Sequence, residues 1–257
     1  MLIAERQRRL LAMLRDRKAA ELEEMARVLA VSSSTVRRDL ETLERLGQVQ
    51  RTHGGAIYRE SAGRRGQPSP ALGARMGENI AAKQAIGRSV AGQVEPNMTL
   101  LLDGGSTVIY AAQQITARPL QVVTNSLSVA NLFADDEQVE LLVIGGSLYP
   151  RSGVLVGPIA TGCLADLHAD LMLFSLAGLY DDAAYNINLA MVEVEQVMLR
   201  QAARSVMLMD SSKFGRKSLV RVCGLDEVDC IVADEAVDDA WRQRLGDRLV
   251  VAGATDA

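Results

Sequence analysis

From residue 98 onward the chain repeats one pattern, a short apolar run that stops abruptly at small or polar residues. The runs are Met98–Leu102, Leu120–Val123, Glu140–Ile144, Leu171–Phe174, Ser205–Met209 and Cys230–Val232. Segments with helical spacing of apolar residues lie between several of them, at Val108–Ile115, Ser128–Phe133 and Val192–Ala203. Short, nearly continuous apolar strands alternating with helices predict an α/β domain with a mostly parallel sheet, because only a sheet covered on both faces buries such strands entirely. A chain of 257 residues, 48% hydrophobic, has room for that domain and one small module besides. Every apolar stretch falls well short of the roughly 18 residues that a membrane span needs, so no membrane partner is expected.

The strand ends carry the chemistry. The first predicted strand runs into Asp103-Gly104-Gly105-Ser106-Thr107, the second into Thr124-Asn125-Ser126, the third into Gly145-Gly146, and a later one into Asp210-Ser-Ser-Lys213. Glycine lets backbone N–H groups approach an anion, hydroxyls donate, a helix start adds unpaired N–H groups, and Lys213 adds a full charge. One such loop is ordinary turn or capping chemistry; four at the carboxyl ends of four strands predict a phosphate pocket with room for a polyol. The patterns G-x-G-x-x-G and G-x-x-x-x-G-K-[ST] are absent, so no nucleotide cofactor is expected. An aldose–ketose isomerase is the competing possibility, and it needs a carboxylate base. Asp103, Asp181 and Asp182 qualify by residue type alone, and without an acidic cluster at a strand end no catalytic residue is predicted.

The first sixty residues differ in kind. Ala4–Arg17 and Glu21–Leu29 read as short amphipathic helices, with Leu10, Leu11, Leu14, Leu22, Met25, Ala26 and Leu29 inward. A third helix opens at Ser32 or Ser33 and turns Val36, Leu40, Leu43 and Leu46 to the same core. Its other face presents Ser34, Arg37, Arg38 and Glu41 at i, i+3, i+4 and i+7, a polar and cationic ridge suited to the major groove of double-stranded DNA. Ser33, Ser34 and Thr35 near the helix start can bond phosphates or base edges, and the arginines can take guanine or phosphate. Residues 48–58 then read as two strands around Gly54-Gly55, a wing carrying Arg51 and His53 toward the sugar-phosphate backbone.

Charge divides the same way. Residues 1–65 hold 14 Lys and Arg against 9 Asp and Glu, whereas the rest hold 14 against 23, so a basic head sits on an acidic body. Residues 1–60 are therefore expected to form a winged helix-turn-helix, 61–72 a Pro- and Gly-containing linker, and 73–257 the α/β domain, opening with a helix over Arg75–Gln93. Cys163, Cys223 and Cys230 include no C-x-x-C pair and are expected to be buried, reduced thiols; no metal site is predicted. Charged residues follow Met1-Leu-Ile-Ala at once, unlike a signal peptide, so a cytoplasmic location is expected.

Arg6-Gln-Arg-Arg-Leu-Leu, Val31-Ser-Ser-Ser-Thr-Val-Arg-Arg-Asp-Leu40, Leu46-Gly47 and Arg51-Thr-His-Gly-Gly-Ala56 resemble, in order and spacing, the DNA-binding head of DeoR-type regulators. The helix around Lys83, Asp103–Thr107, Val123–Ser126, Gly145-Gly-Ser-Leu148, Val156-Gly-Pro158, His168-Ala-Asp170 and Asp210-Ser-Ser-Lys-Phe-Gly215 resemble that family's sensor domain, which is similar in fold to ribose 5-phosphate isomerases. The resemblance implies a transcriptional regulator, a repressor of a carbohydrate catabolism operon, that forms a homo-oligomer (dimer or tetramer) and leaves its operator when a phosphorylated sugar binds. It implies that Ser34, Thr35, Arg37 and Arg38 meet DNA, that Gly104–Thr107 and Lys213 hold the phosphate, and that Asp103, Thr124, Asn125 and Gly145 meet the sugar. Leu176–Asn188 departs from the family pattern, and Gly178, Tyr185, Asn186 and Asn188 could tune the choice of sugar.

Overall fold

The computed structural model describes residues 3–45, 49–52, 54–58 and 70–253. The chain divides into two compact units, Met1–Pro70 and Ala71–Ala257. The expected linker, 61–72, falls mostly outside the described residues, as do Leu46 and His53.

The first unit runs α1 (Ile3–Arg17), β1 (Ala19–Glu21), α2 (Leu22–Leu29), α3 (Ser33–Arg45), β2 (Val49–Arg51) and β3 (Gly55–Tyr58). The apolar stripes meet as expected: Leu10, Leu14, Met25, Ala26, Leu29, Val36, Leu40 and Leu43 form one core, closed by Val49 and Ala56 from the strands. Leu11 and Leu22 are only partly buried against it. The short strand β1 was not expected, and it pairs antiparallel with β3 to make a sheet ordered β1-β3-β2. That pairing explains one of the wing glycines, since a Cβ on Gly55 would lie 2.1 Å from the Ala20 carbonyl oxygen. Buried Asp39 ties α3 to α1 by accepting from Arg6 Nε at 2.5 Å and from Gln7 Nε2 at 3.1 Å.

The second unit continues with α4 (Leu72–Met76), α5 (Ile80–Ala91), β4 (Thr99–Leu102), α6 (Ser106–Ala112), β5 (Leu120–Thr124), α7 (Leu127–Phe133), β6 (Val139–Val143), β7 (Ser147–Tyr149), β8 (Val154–Val156), α8 (Pro158–Leu164), β9 (Ala169–Phe174), β10 (Gly178–Tyr180), β11 (Ala183–Asn186), α9 (Leu189–Gln201), β12 (Ala202–Met209), β13 (Val220–Gly224), β14 (Cys230–Asp234), α10 (Asp239–Leu245) and β15 (Leu249–Ala252). Seven of these strands form a wholly parallel sheet ordered β15-β14-β12-β9-β4-β5-β6. All six predicted runs are in it; β15 is an addition. The chain lays down β4, β5 and β6 toward one edge, returns to β9 on the other side of β4, and proceeds to the opposite edge. The order reverses between β4 and β9, where open α/β sheets bind ligands.

Successive residues of the central strands alternate between two cores, as the pleat requires. Leu101, Val123, Met172, Phe174, Met207 and Met209 pack toward α8 and α9. Leu100, Leu102, Val122, Leu171, Leu173, Val206 and Leu208 pack toward α5, α6 and α7.

Some expectations need correction. The helix predicted over Arg75–Gln93 is broken: α4 ends before Gly77, Asn79 takes a left-handed φ of 50°, and α5 begins at Ile80. The buried Lys83 ammonium holds the break, donating to the carbonyls of Arg75 and Glu78. Val192–Ala203 is mostly α9, but its last two residues open β12. Leu176–Asn188 contains a β10–β11 hairpin that joins β13 in a small antiparallel sheet. Cys223 and Cys230 are buried free thiols, whereas Cys163 is exposed on the outer side of α8. Among the described residues no helix is long and apolar enough to cross a membrane.

Asp39→Ala leaves Arg6 and Gln7 without their acceptor, where Asp39 is 4% and Arg6 13% exposed at the side chain. We expect a loss of about 2–4 kcal/mol from the first unit, read as an earlier first transition in thermal unfolding of the full chain, with the second transition unmoved.

Candidate nucleic-acid interface and anion site

The start of α3 is built by Ser32, whose hydroxyl accepts the Thr35 N–H at 3.3 Å and lies 2.8 Å from the Ser34 and 2.9 Å from the Thr35 hydroxyl. With Val36, Asp39, Leu40 and Leu43 buried, the helix turns Ser34, Arg37 and Arg38 outward and leaves Ser33 and Thr35 half-buried. The side chains of Arg37 and Arg38 form no ion pair among the described residues. Arg51 on β2 does: its Nη1 donates to Glu41 and its Nε to Glu44, both at 2.8 Å, and its backbone N–H donates to the other Glu44 oxygen at 2.9 Å. Arg51 and Glu44 border a hollow of about 370 Å³ between α3 and the wing strands, lined also by Leu22, Arg37, Leu40, Thr52 and Gly55.

In the second unit Asp103–Thr107, Thr124–Ser126 and Asp210–Lys213 follow β4, β5 and β12, at or one strand from the β4/β9 switch point, whereas Gly145-Gly146 follows the edge strand β6. Asp103, directly after β4, is 1% exposed, and neither carboxylate oxygen has a hydrogen-bond partner. The amide of Asn125 and the N–H groups of Gly104 and Ser175 lie near enough to favour its charged form. Burial outweighs them and pushes its carboxyl up to about 7. Asn125 Oδ1 is likewise buried without a donor. Across the switch point, Asp210 after β12 accepts from Asn79 Nδ2 at 2.9 Å and from Ser212, leaving Oδ2 unpartnered.

Cations face this acceptor-rich floor. Burial holds Lys213, at the end of the short turn after β12, below its usual range, while the Asp210 charge opposes that shift. Burial lowers Lys83 to about 8 while the Asp210 charge opposes it, and burial lowers Arg75 while the Asp103 charge opposes it. Arg75 and Lys213 beside buried carboxylates offer both an anion seat and hydroxyl acceptors, whereas Lys83 is committed to the Arg75 and Glu78 carbonyls.

Other predicted residues are partly committed to the fold. Thr124 donates to the Leu102 carbonyl at 2.6 Å and accepts the Ser126 N–H at 3.0 Å, and Ser126 caps α7 by accepting from Val129 N–H at 3.3 Å. Ser106 and Thr107 are buried at the start of α6. A Cβ on Gly104 would lie 2.0 Å from the Val154 side chain, and one on Gly105 would lie 2.7 Å from Ser175 Oγ. Gly178 lets β10 pass the Arg216 carbonyl, to which a Cβ would come within 2.3 Å; Gly145 is exposed at the end of β6.

Sequence reasoning missed Arg75, Asn79 and Glu195, and met Lys83 only through the family resemblance. Glu195 is 1% exposed on α9; it accepts the Asn186 amide and keeps Oε2 unpartnered. Burial first, then the Asp103 charge, pushes its carboxyl well above the ordinary range. A charged residue on the apolar side of a helix was the signal available for Lys83 and Glu195. In the atypical hairpin, Asn188 caps α9 by accepting from Met191 N–H at 3.1 Å, and Lys217 stands 5.6 Å over the Tyr185 ring.

Comparison with known proteins matches residues 6–62 to the DeoR-like helix-turn-helix domain and residues 78–235 to the DeoR C terminal sensor domain. The L-fucose operon activator of Escherichia coli K12 is 33% identical over 234 residues, covering 90% of this chain and 95% of the relative. The HTH-type transcriptional repressor CsqR of the same organism is 29% identical over 245 residues, covering 94% and 91%. Ribose 5-phosphate isomerase A from Methanocaldococcus jannaschii is a structural neighbour with a TM-score of 0.39 and 15% identity, covering 53% of this chain and 55% of the isomerase.

The pH response of Asp103 has a definite sign. The unfolded chain releases this proton near 3.8 and the folded chain near 7, so the group's contribution to stability is full at acid pH and is lost as pH rises between those values. Asp103→Asn removes the buried charge, and at pH 8 we expect it to stabilise the second unit by about 1–3 kcal/mol while flattening the dependence of its melting temperature on pH. Calorimetric scans from pH 4 to 8 check both; an equal loss of stability at every pH would contradict the assignment.

Proposed function

The chain belongs to the DeoR family of DNA-binding transcriptional regulators, and from that premise we propose that it controls a carbohydrate catabolism operon as a repressor released by a phosphorylated sugar. The observation that carries the effector half is the placement near the switch point of buried acceptors, Asp103 and Asn125, with the cations Lys213 and Arg75. A polyol supplies hydroxyl donors for the former and a phosphate supplies charge for the latter.

We infer that Lys213 and the N–H groups of Gly104–Thr107 take the phosphate and that Asp103 and Asn125 take sugar hydroxyls. Thr124 and Ser126 shape the floor, since their hydroxyls are already engaged. Gly145 and Gly178 border it. We assign Ser33, Ser34, Thr35, Arg37 and Arg38 on α3, Arg51 on β2 and, from the sequence alone, His53 to the operator contact. We further infer that the regulator acts in the cytoplasm as a dimer or tetramer, because palindromic operators suit two-fold symmetric proteins. The repressor sign rests on the family's use of effector release; the activator among its relatives makes transcription from the regulated promoter the deciding assay.

A thermal-shift series with pentose and hexose phosphates, free sugars and inorganic phosphate tests the effector. We expect one class of sugar phosphate to raise the melting temperature with concentration and the matching free sugar to fail. Lys213→Ala should weaken that ligand more than tenfold and leave DNA binding intact. A stable Lys213→Ala protein with an undiminished response would remove Lys213 from the site. Turnover of any sugar phosphate in the series would instead favour the isomerase alternative.

A further inference from the structure

Arg51 is held by two carboxylates of α3. Glu44 accepts both its backbone N–H and its Nε, and Glu41 accepts Nη1, so one backbone and two guanidinium contacts fix the side chain from the helix. All three side chains remain on the surface, at 36–45% exposure. Arg37, one turn earlier on α3, lines the same hollow without such a partner. A guanidinium facing two carboxylates carries little net field toward a polyanion, whereas an unpaired one attracts phosphate at full strength.

We propose that Glu41 and Glu44 form a latch that masks Arg51 and docks the wing on α3, making Arg51 a positioning residue and lowering the protein's affinity for DNA of arbitrary sequence. The latch rests on the assignment of α3 and the wing to the DNA interface. Surface pairs of this kind add little stability, so its effect is to be sought in the charge presented to DNA. Arg37 and Arg38 then supply the unmasked attraction, and specificity gains because the non-specific background is reduced.

A cycle of full-length variants tests it, with a mixed-sequence duplex as probe and affinity measured as a function of salt. Removing an arginine that contacts phosphate lowers the slope of log affinity against log salt by about 0.9. Glu41→Gln combined with Glu44→Gln should unmask Arg51, raising affinity for the mixed-sequence duplex several-fold and steepening the slope by about that amount. Arg51→Gln should then cost about one unit of slope in the double-Gln background and clearly less in the native background. An equal cost in both backgrounds, or an unchanged slope in the double-Gln protein, overturns the latch. Should the double-Gln protein fail to fold, Glu44→Gln alone carries the same comparison. Arg37→Ala is the control: we expect it to weaken binding to the same duplex, and no effect from Arg37→Ala or Arg38→Ala would remove α3 from the interface, a failure distinct from that of the latch.

Discussion

Parallel strands cannot be joined by tight turns, because each must be re-entered from the same end. Every strand of the seven-stranded sheet therefore empties at one edge, and every return segment has to cross a face. The second unit follows from that constraint. Both faces of the central strands are covered, so their middle residues are apolar and alternate between two cores. The polar residues that leave the strands are collected along a single rim. Asp103 and Asn125 follow the adjacent strands β4 and β5, and Asp210 follows β12 on the far side of β9, each buried at that rim.

That rim is arranged at a cost to stability. Buried acceptors without donors are expensive, and a carboxyl whose ordinary range is displaced to about 7 stores part of that cost. A site of this kind is poised to gain when a ligand brings hydroxyl donors. Lys83 illustrates the opposite use of a buried charge: it is spent on the carbonyls of Arg75 and Glu78, closing α4 and setting the turn that places Asn79 against Asp210. Two lysines of the same neighbourhood thus differ, one holding the backbone and one, Lys213, lying beside Asp210.

The first unit meets the problem of a small core with an ion pair as well as apolar packing. Asp39 ends the Arg37-Arg38-Asp39 run, and while the two arginines turn outward it turns in to Arg6. The polarity of α3 is therefore divided by helical phase: charge on one side joins the helices, and charge on the other faces solvent.

By itself the sequence determined the period and order of the elements. The six apolar runs with small residues at their ends specified a parallel sheet, and Val36, Leu40 and Leu43 set which side of α3 is buried, because burial of apolar area depends on spacing that local sequence carries. The candidate residues at strand ends were legible for the same reason. Tertiary structure decided what spacing cannot carry. Strand β1 exists because Gly55 gives it room, and the break at Asn79 exists because Lys83 finds two carbonyls there. Glu195 reaches Asn186 only through the docking of α9 on the β10–β11 hairpin, and Arg51 meets Glu41 and Glu44 only when the wing folds onto α3. Each of these contacts joins residues that no local periodicity relates, and the energy that selects them is available only once both partners have been brought together by the packing of their elements.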